Sequence, residues 1–177
     1  PAQRDAAKRI NFGILYGISP FGLAREIGTS HSEAKAYIDR FFSAYPGVRV
    51  FVQECIRRAT ECGYAETLLG RRRPLRDIGS RDVTRRNFDR RNAVNTPIQG
   101  SAADLIKLAM IDIDRRISSE MWPARMLLQI HDELVFEVEE QTAGIVAAAI
   151  RESMENVLSL RVPLEVKVSA GRHWGEI

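Results

Sequence analysis

Over its first sixty or so residues the chain repeats apolar side chains at a helical period, and from Tyr64 the texture changes. Val48, Phe51, Val52, Cys55, Ile56, Ala59 and Cys62 follow i, i+3, i+4, i+7 spacing up to Gly63, a helix-ending signal. Upstream, Ala6, Ala7, Ile10, Gly13 and Ile14 mark one face of a helix over residues 4–16. Ser30-His31-Ser32-Glu33 has the form of a capping box. It opens a helix through Tyr37, Ile38, Phe41 and Phe42 that stops at Pro46-Gly47.

Beyond Tyr64 the pattern is mixed. Tyr64–Leu69 reads as a strand, Gly70 as a turn and Arg71–Leu75 as an Arg-rich return. Ser80 is expected to cap a polar helix running to about Val94. Thr96-Pro97-Ile98-Gln99 looks like a second capping box, with Pro in the first helical position, opening a helix to about Ile117. Met126–Ile130 and Leu134–Val138 form a hairpin around His131-Asp132-Glu133. A helix from about Thr142 to Leu158 follows, and the alternation of Leu164, Val166 and Val168 predicts a last strand. The fold class is therefore α+β, a helical segment followed by an antiparallel sheet with flanking helices. At 177 residues the chain makes one medium domain or two small lobes. Its 45% hydrophobic and 28% charged residues exclude disorder as the main state. No apolar run approaches the ~20 residues of a membrane span.

Charge narrows the partners. There are 22 Arg against 4 Lys, and they are unevenly placed: residues 1–125 carry 22 basic and 14 acidic side chains, residues 126–177 carry 4 and 9. Residues 71–91 alone hold nine Arg and three Asp. A solvated helix face is the usual reading of such a run, but a local excess of that size repels itself unless an anion neutralises it. Duplex phosphates would do so with salt-sensitive affinity. Cys55 and Cys62 are separated by about 10 Å of helical rise, too far for an internal disulfide. Both are expected to pack as small apolar residues.

Two places carry chemistry. At roughly 100° per residue, Arg4, Lys8, Phe12 and Tyr16 share a band about 120° wide, and Ile10 points away from Phe12. Cations with rings beyond them suit a nucleotide; a helix buried on two sides with snorkelling cations is the other reading. The second place is His131-Asp132-Glu133, three ionisable residues between apolar arms, with no Gly to ease a tight turn. A carboxylate held at the end of a hairpin is a good ligand for a hard metal ion; a solvated charged turn is the alternative.

Four ordered blocks, Arg4-x-x-x-Lys8-x-x-Asn11-Phe12-Gly13-x-x-Tyr16-Gly17, Thr67–Arg73, Asn95–Asp104 and Gln129–Glu133, resemble family A DNA polymerases of the DNA polymerase I type. The resemblance runs through essentially the whole chain. It implies part of the fingers over residues 1–62, including the nucleotide-binding helix, and the C-terminal part of the palm over 63–177. It implies that Arg4 and Lys8 hold the dNTP β/γ-phosphates, that Lys8 donates a proton to pyrophosphate, and that Phe12 packs on sugar and base. Tyr16 is implied to occupy the template-base position until the fingers close. Arg91, Asn95 and Gln99 are implied to contact template and primer, Gln129 to bind DNA, and His131 to lie near the primer terminus.

Asp132, with Glu133 beside it, is implied to be a ligand of two Mg²⁺ ions. The family's other catalytic aspartate is expected before residue 1, so the isolated chain is expected to be inactive and prone to self-association through exposed palm surface. The implied partners are primer–template DNA and dNTP, with no membrane, in a bacterial cytoplasm at the nucleoid. Asp5 departs from the family pattern, standing where relatives often carry a basic residue, and an i, i+4 pair with Arg9 gives it a structural role. A non-catalytic nucleic-acid-binding module, a single-subunit RNA polymerase relative and, more distantly, a metal phosphohydrolase using His131 and Asp132 are the competing readings.

Overall fold

The computed structural model describes residues 2–176, apart from the side chains of residues 2, 3, 5 and 6. The chain divides into two compact units at Gly100/Ser101.

The first unit opens with four helices, α1 (Ala2–Leu15), α2 (Pro20–Ile27), α3 (His31–Ala44) and α4 (Pro46–Cys62). Helix α2 has no counterpart among the expected elements. Ser19 caps it by accepting from the Gly22 N–H, Pro20 sits in its first turn, and Gly28 closes it at φ 68°. The expected capping box of α3 is present: Ser30 Oγ accepts from the Glu33 N–H while the Glu33 carboxylate accepts from the Ser30 N–H. Ile14, Leu23 and Ala34 are buried together, with Ile10, Ile38, Phe41 and Phe42 packed around them.

Gly63 ends α4 in the left-handed conformation at φ 78°. Strands β1 (Tyr64–Glu66) and β2 (Arg72–Pro74) then pair antiparallel across the Gly70 turn. Both are shorter than the sequence pattern suggests. Helix α5 (Val83–Asn95) is capped by Asp82, which accepts from the Thr84 and Arg85 N–H groups, and not by Ser80. The carboxylate carries the negative charge that a helix N-terminus favours; Ser80 Oγ accepts instead from the Asp82 N–H. Ala59, Ala65, Leu75, Ile78 and Ala93 form the second core of this unit.

The expected capping box at Thr96 is absent. Its N–H donates to the Asn92 carbonyl and its backbone is helical (φ −60°, ψ −46°), whereas an N-cap residue is extended. Thr96–Gly100 form a π-helical turn directly after α5.

The second unit contains α6 (Ser101–Ser119), the hairpin β3 (Ala124–Ile130) and β4 (Glu133–Val138), and α7 (Ala143–Glu155). Ala109 and Ile113 of α6 and Val146 and Ile150 of α7 are buried against Ala124, Met126, Leu134, Phe136 and Val138 of the hairpin. Arg116 links the layers: its guanidinium lies 4.7 Å from the Trp122 ring, and Nη1 donates to Ser153 Oγ at 2.7 Å. The last expected strand does not form. Residues 164–168 have no ladder partner among the described strands, and the Val166 N–H donates to the Glu155 carboxylate instead. Cys55 is half-buried, and burial pushes its thiol pKa up, whereas Cys62 is exposed and does not pack as expected. No helix among the described residues is long and apolar enough to cross a membrane.

Candidate nucleotide and nucleic-acid site

On α1 the two faces separate as the spacing predicts. Ile14 is buried and Ile10 packs beside it, while Lys8 and Phe12 are exposed. The Phe12 and Tyr16 rings stack with centroids 6.1 Å apart and planes inclined by 13°. Lys8 Nζ lies 6.0 Å from the Phe12 centroid. Phe12 retains 45% of its accessible surface, so α1 is not buried on both sides by the described residues. Arg4 is also exposed. The Asp5 side chain lies outside the described residues, and Arg9 pairs with Glu26 of α2 at 3.4 Å.

The end of α1 meets α5. Gly17 stands at φ 80°, and a Cβ there would lie 3.1 Å from Arg91 Cγ. The structure thus brings Tyr16-Gly17 beside Arg91, two places that are far apart in the sequence.

Of the nine Arg in residues 71–91, all but Arg86 are exposed. Two of the three Asp in this run are engaged with backbone: Asp82 caps α5, and buried Asp89 accepts from the Asp77 N–H at 2.7 Å. Asp82 also pairs with Arg85 at 3.9 Å, and three Asp against nine Arg leave most of the guanidinium charge uncompensated. Arg72 pairs with Glu66 at 3.2 Å and lies 4.5 Å over the Tyr64 ring. Arg71, Arg72 and Arg73 line a shallow depression with Thr67, Thr96, Gln99 and Gly100. Gln99 is exposed in the π-helical turn, free of the capping role expected for it. The side-chain carbonyl of Asn95 and the hydroxyl of Thr96 are both buried without a hydrogen-bond partner.

In the second unit the hairpin turn is tighter than expected. Ile130 pairs with Glu133, leaving only His131 and Asp132 in the turn. His131 takes the positive φ, 55°, that a two-residue hairpin turn demands, and His, like Asn and Asp, is over-represented there. Gln129 Nε2 donates to the His131 carbonyl at 2.8 Å and fastens the turn. The register shifts by one residue between Met126 and Leu128. Such a bulge exchanges the faces of the strand beyond it and re-aims the turn into which that strand leads. His131, Asp132 and Glu133 are all exposed. Among the described residues no three His, Cys, Asp or Glu converge on a common point.

The family model for DNA polymerase family A matches residues 1–176. The chain belongs to DNA polymerase family A. It is 47% identical over 174 residues to DNA polymerase I of Bacillus caldotenax and 45% identical over 174 residues to that of Streptococcus pneumoniae. Each match covers 98% of this chain, which spans 20% of the length of either relative. Among solved structures it resembles the POL domain of Pol1 from M. smegmatis in complex with DNA primer–template and dNTP, with a TM-score of 0.94 and 43% identity. That match covers 98% of this chain and 31% of the other. Family membership sets aside the single-subunit RNA polymerase reading. The Thr67–Gly100 contact and the Gly17–Arg91 approach are the features that sequence reasoning missed. Conspicuous glycines at both positions were the only signal.

Proposed function

We propose that this chain is the nucleotide- and DNA-binding part of a DNA-directed DNA polymerase that adds dNTPs to a primer 3′ end. The observation that carries the reading is the outward face of α1, where Lys8 and Phe12 are exposed and the half-buried Tyr16 stacks on Phe12. A cation beside one ring of a stacked pair offers one surface to phosphate and another to sugar and base. Arg4 and Lys8 hold the β/γ-phosphates, Phe12 packs on the nucleotide, and Tyr16 occupies the template-base position while the fingers are open. Arg91, Asn95 and Gln99 contact template and primer, Gln129 binds DNA, and His131 lies by the primer terminus. Residues 1–62 belong to the fingers and 63–177 to the palm.

The reaction joins the primer 3′ oxygen to the α-phosphorus and breaks its bond to pyrophosphate. The primer hydroxyl loses a proton, and Lys8 supplies one to the departing pyrophosphate. Mg²⁺ is usually held by one or two carboxylates with substrate phosphates and water, and the exposed Asp132 and Glu133 fit that donor set. Bound there, two Mg²⁺ ions supply activation of the nucleophile and stabilisation of the leaving group. Two adjacent carboxylates are only part of what a two-ion clamp requires, so the isolated chain is expected not to extend primers. Leu127 and Leu128, both exposed, support self-association of the isolated chain.

The reading is tested by Lys8→Ala in the full-length protein. Incorporation efficiency (kcat/KM for dNTP) is expected to fall by about 100-fold or more, the range for loss of a general acid, with primer–template affinity nearly unchanged. Unchanged incorporation would overturn the role of the α1 face.

A further inference from the structure

A π-helical turn is rare, occurs mostly as a single turn inserted in helical structure, and is frequent at functional sites. The side-chain oxygens at its start add nothing to the Thr96–Gly100 turn, because Asn95 Oδ1 and Thr96 Oγ1 are buried without hydrogen-bond partners. Pro97 has no N–H to donate. What meets the turn from outside is Thr67, in the tight bend between β1 and β2. Thr67 is buried, and its N–H donates to the Arg71 carbonyl at 2.9 Å. Its hydroxyl accepts from the Arg71 N–H at 3.1 Å, and its carbonyl accepts from the Gly70 N–H at 3.1 Å. These bonds fix both backbone and χ1, which leaves Cγ2 facing Gly100. A Cβ on Gly100 would lie 2.7 Å from that methyl, closer than real side chains approach. Gly100 is not among the positive-φ glycines, so close approach, and not backbone conformation, requires glycine there.

Resting on the reading that Gln99 contacts DNA, we infer that Thr67 and Gly100 are positioning residues: their contact sets the π-helical turn and thereby the placement of Gln99 and Asn95 on primer–template. The Thr67–Arg73 and Asn95–Asp104 blocks are then two halves of one device. Gln99 shares its depression with Thr67 and Arg71–Arg73, so a shift of the turn by a few tenths of an ångström changes how all of them meet one strand.

The test uses single-turnover primer extension by the full-length protein, with thermal unfolding of each variant alongside. Gly100→Ala is expected to slow extension by roughly 10- to 100-fold, the scale of a sub-ångström to 1 Å misplacement. Gly100→Ala combined with Thr67→Ser, which removes Cγ2 and keeps the hydroxyl, is expected to recover most of the rate. In a Gln99→Ala background, Gly100→Ala is expected to cost clearly less than it does alone, because the Gln99 contact is no longer there to lose and only those of Asn95 and the arginines remain. An undiminished loss in that background, or no recovery with Thr67→Ser, overturns the inference and leaves the polymerase reading standing. Extension unaffected by Gln99→Ala alone would instead overturn the DNA role of Gln99, and the inference with it. If Gly100→Ala does not fold, Thr67→Val carries the same test, because it keeps the methyl and deletes the hydroxyl that fixes χ1.

Discussion

Replacing Thr96 with Val should make the protein more stable. Thr96 is 7% exposed, its hydroxyl oxygen is buried, and that oxygen has no hydrogen-bond partner. Leaving a buried hydroxyl unpaired costs about 1–3 kcal/mol, and Val has the same branched shape with a methyl in its place. Both residues are β-branched, so helix propensity and χ1 freedom change little. The expected gain is about 2 kcal/mol, which corresponds to roughly 4–8 °C in Tm for a chain of this size. Thermal unfolding of the 177-residue chain followed by circular dichroism measures it, with Thr96→Ser as the control that retains the hydroxyl. A lower Tm for Thr96→Val would refute the reasoning, because it would mean that the hydroxyl makes a bond that holds the π-helical turn.

Glu33 supplies a prediction in pH. Hydrogen bonds from the hydroxyl of Thr29, then from the hydroxyl and N–H of Ser30, hold its carboxyl down to about 2 against an ordinary 4.5. A depressed carboxylate stabilises the fold fully above the ordinary value and loses that contribution as pH falls from about 4.5 toward 2. Carboxyl titration by NMR should show the low midpoint, and fraying of the first turn of α3 should accompany it; a midpoint near 4.5 would contradict the capping box. In the second unit, Arg116→Leu leaves buried Ser153 without its guanidinium donor and Trp122 without its cation. Urea unfolding should register a loss of about 2–3 kcal/mol, with Arg116→Lys restoring less than half because an ammonium lacks the planar fork.

Much of the scaffold was legible in the sequence where local chemistry decides it. The Ser30–Glu33 box, the stops at Gly63 and Gly70, and the hairpin around His131 depend on neighbours a few residues apart, and the structure has them. So does the segregation of Lys8 and Phe12 from Ile10 and Ile14, because helical period alone fixes it.

The errors arose where two signals look alike or where the deciding partner is distant. Thr96-Pro97-Ile98-Gln99 has the composition of a helix start, yet α5 is still making its hydrogen bonds at Thr96. A wide π turn reads the same way in one dimension. Ser80 and Asp82 both offer cap chemistry, and the charged residue caps. Leu164, Val166 and Val168 alternate as a strand does, but alternation supplies no ladder partner. The Gly100–Thr67 approach is a contact between β1–β2 and the turn after α5, which no local pattern encodes.

The most direct measurement is made on Asp132→Ala in the full-length protein, with primer extension and primer–template binding read from one preparation. Loss of a ligand that stabilises charge in the transition state by several kcal/mol predicts a fall in extension of at least about a thousandfold. Binding should stay close to that of the unaltered protein, because the exposed Arg surface of residues 71–91 is untouched. Extension that survives the substitution, or binding lost in parallel with it, would contradict the assignment of the hairpin as the catalytic carboxylate site.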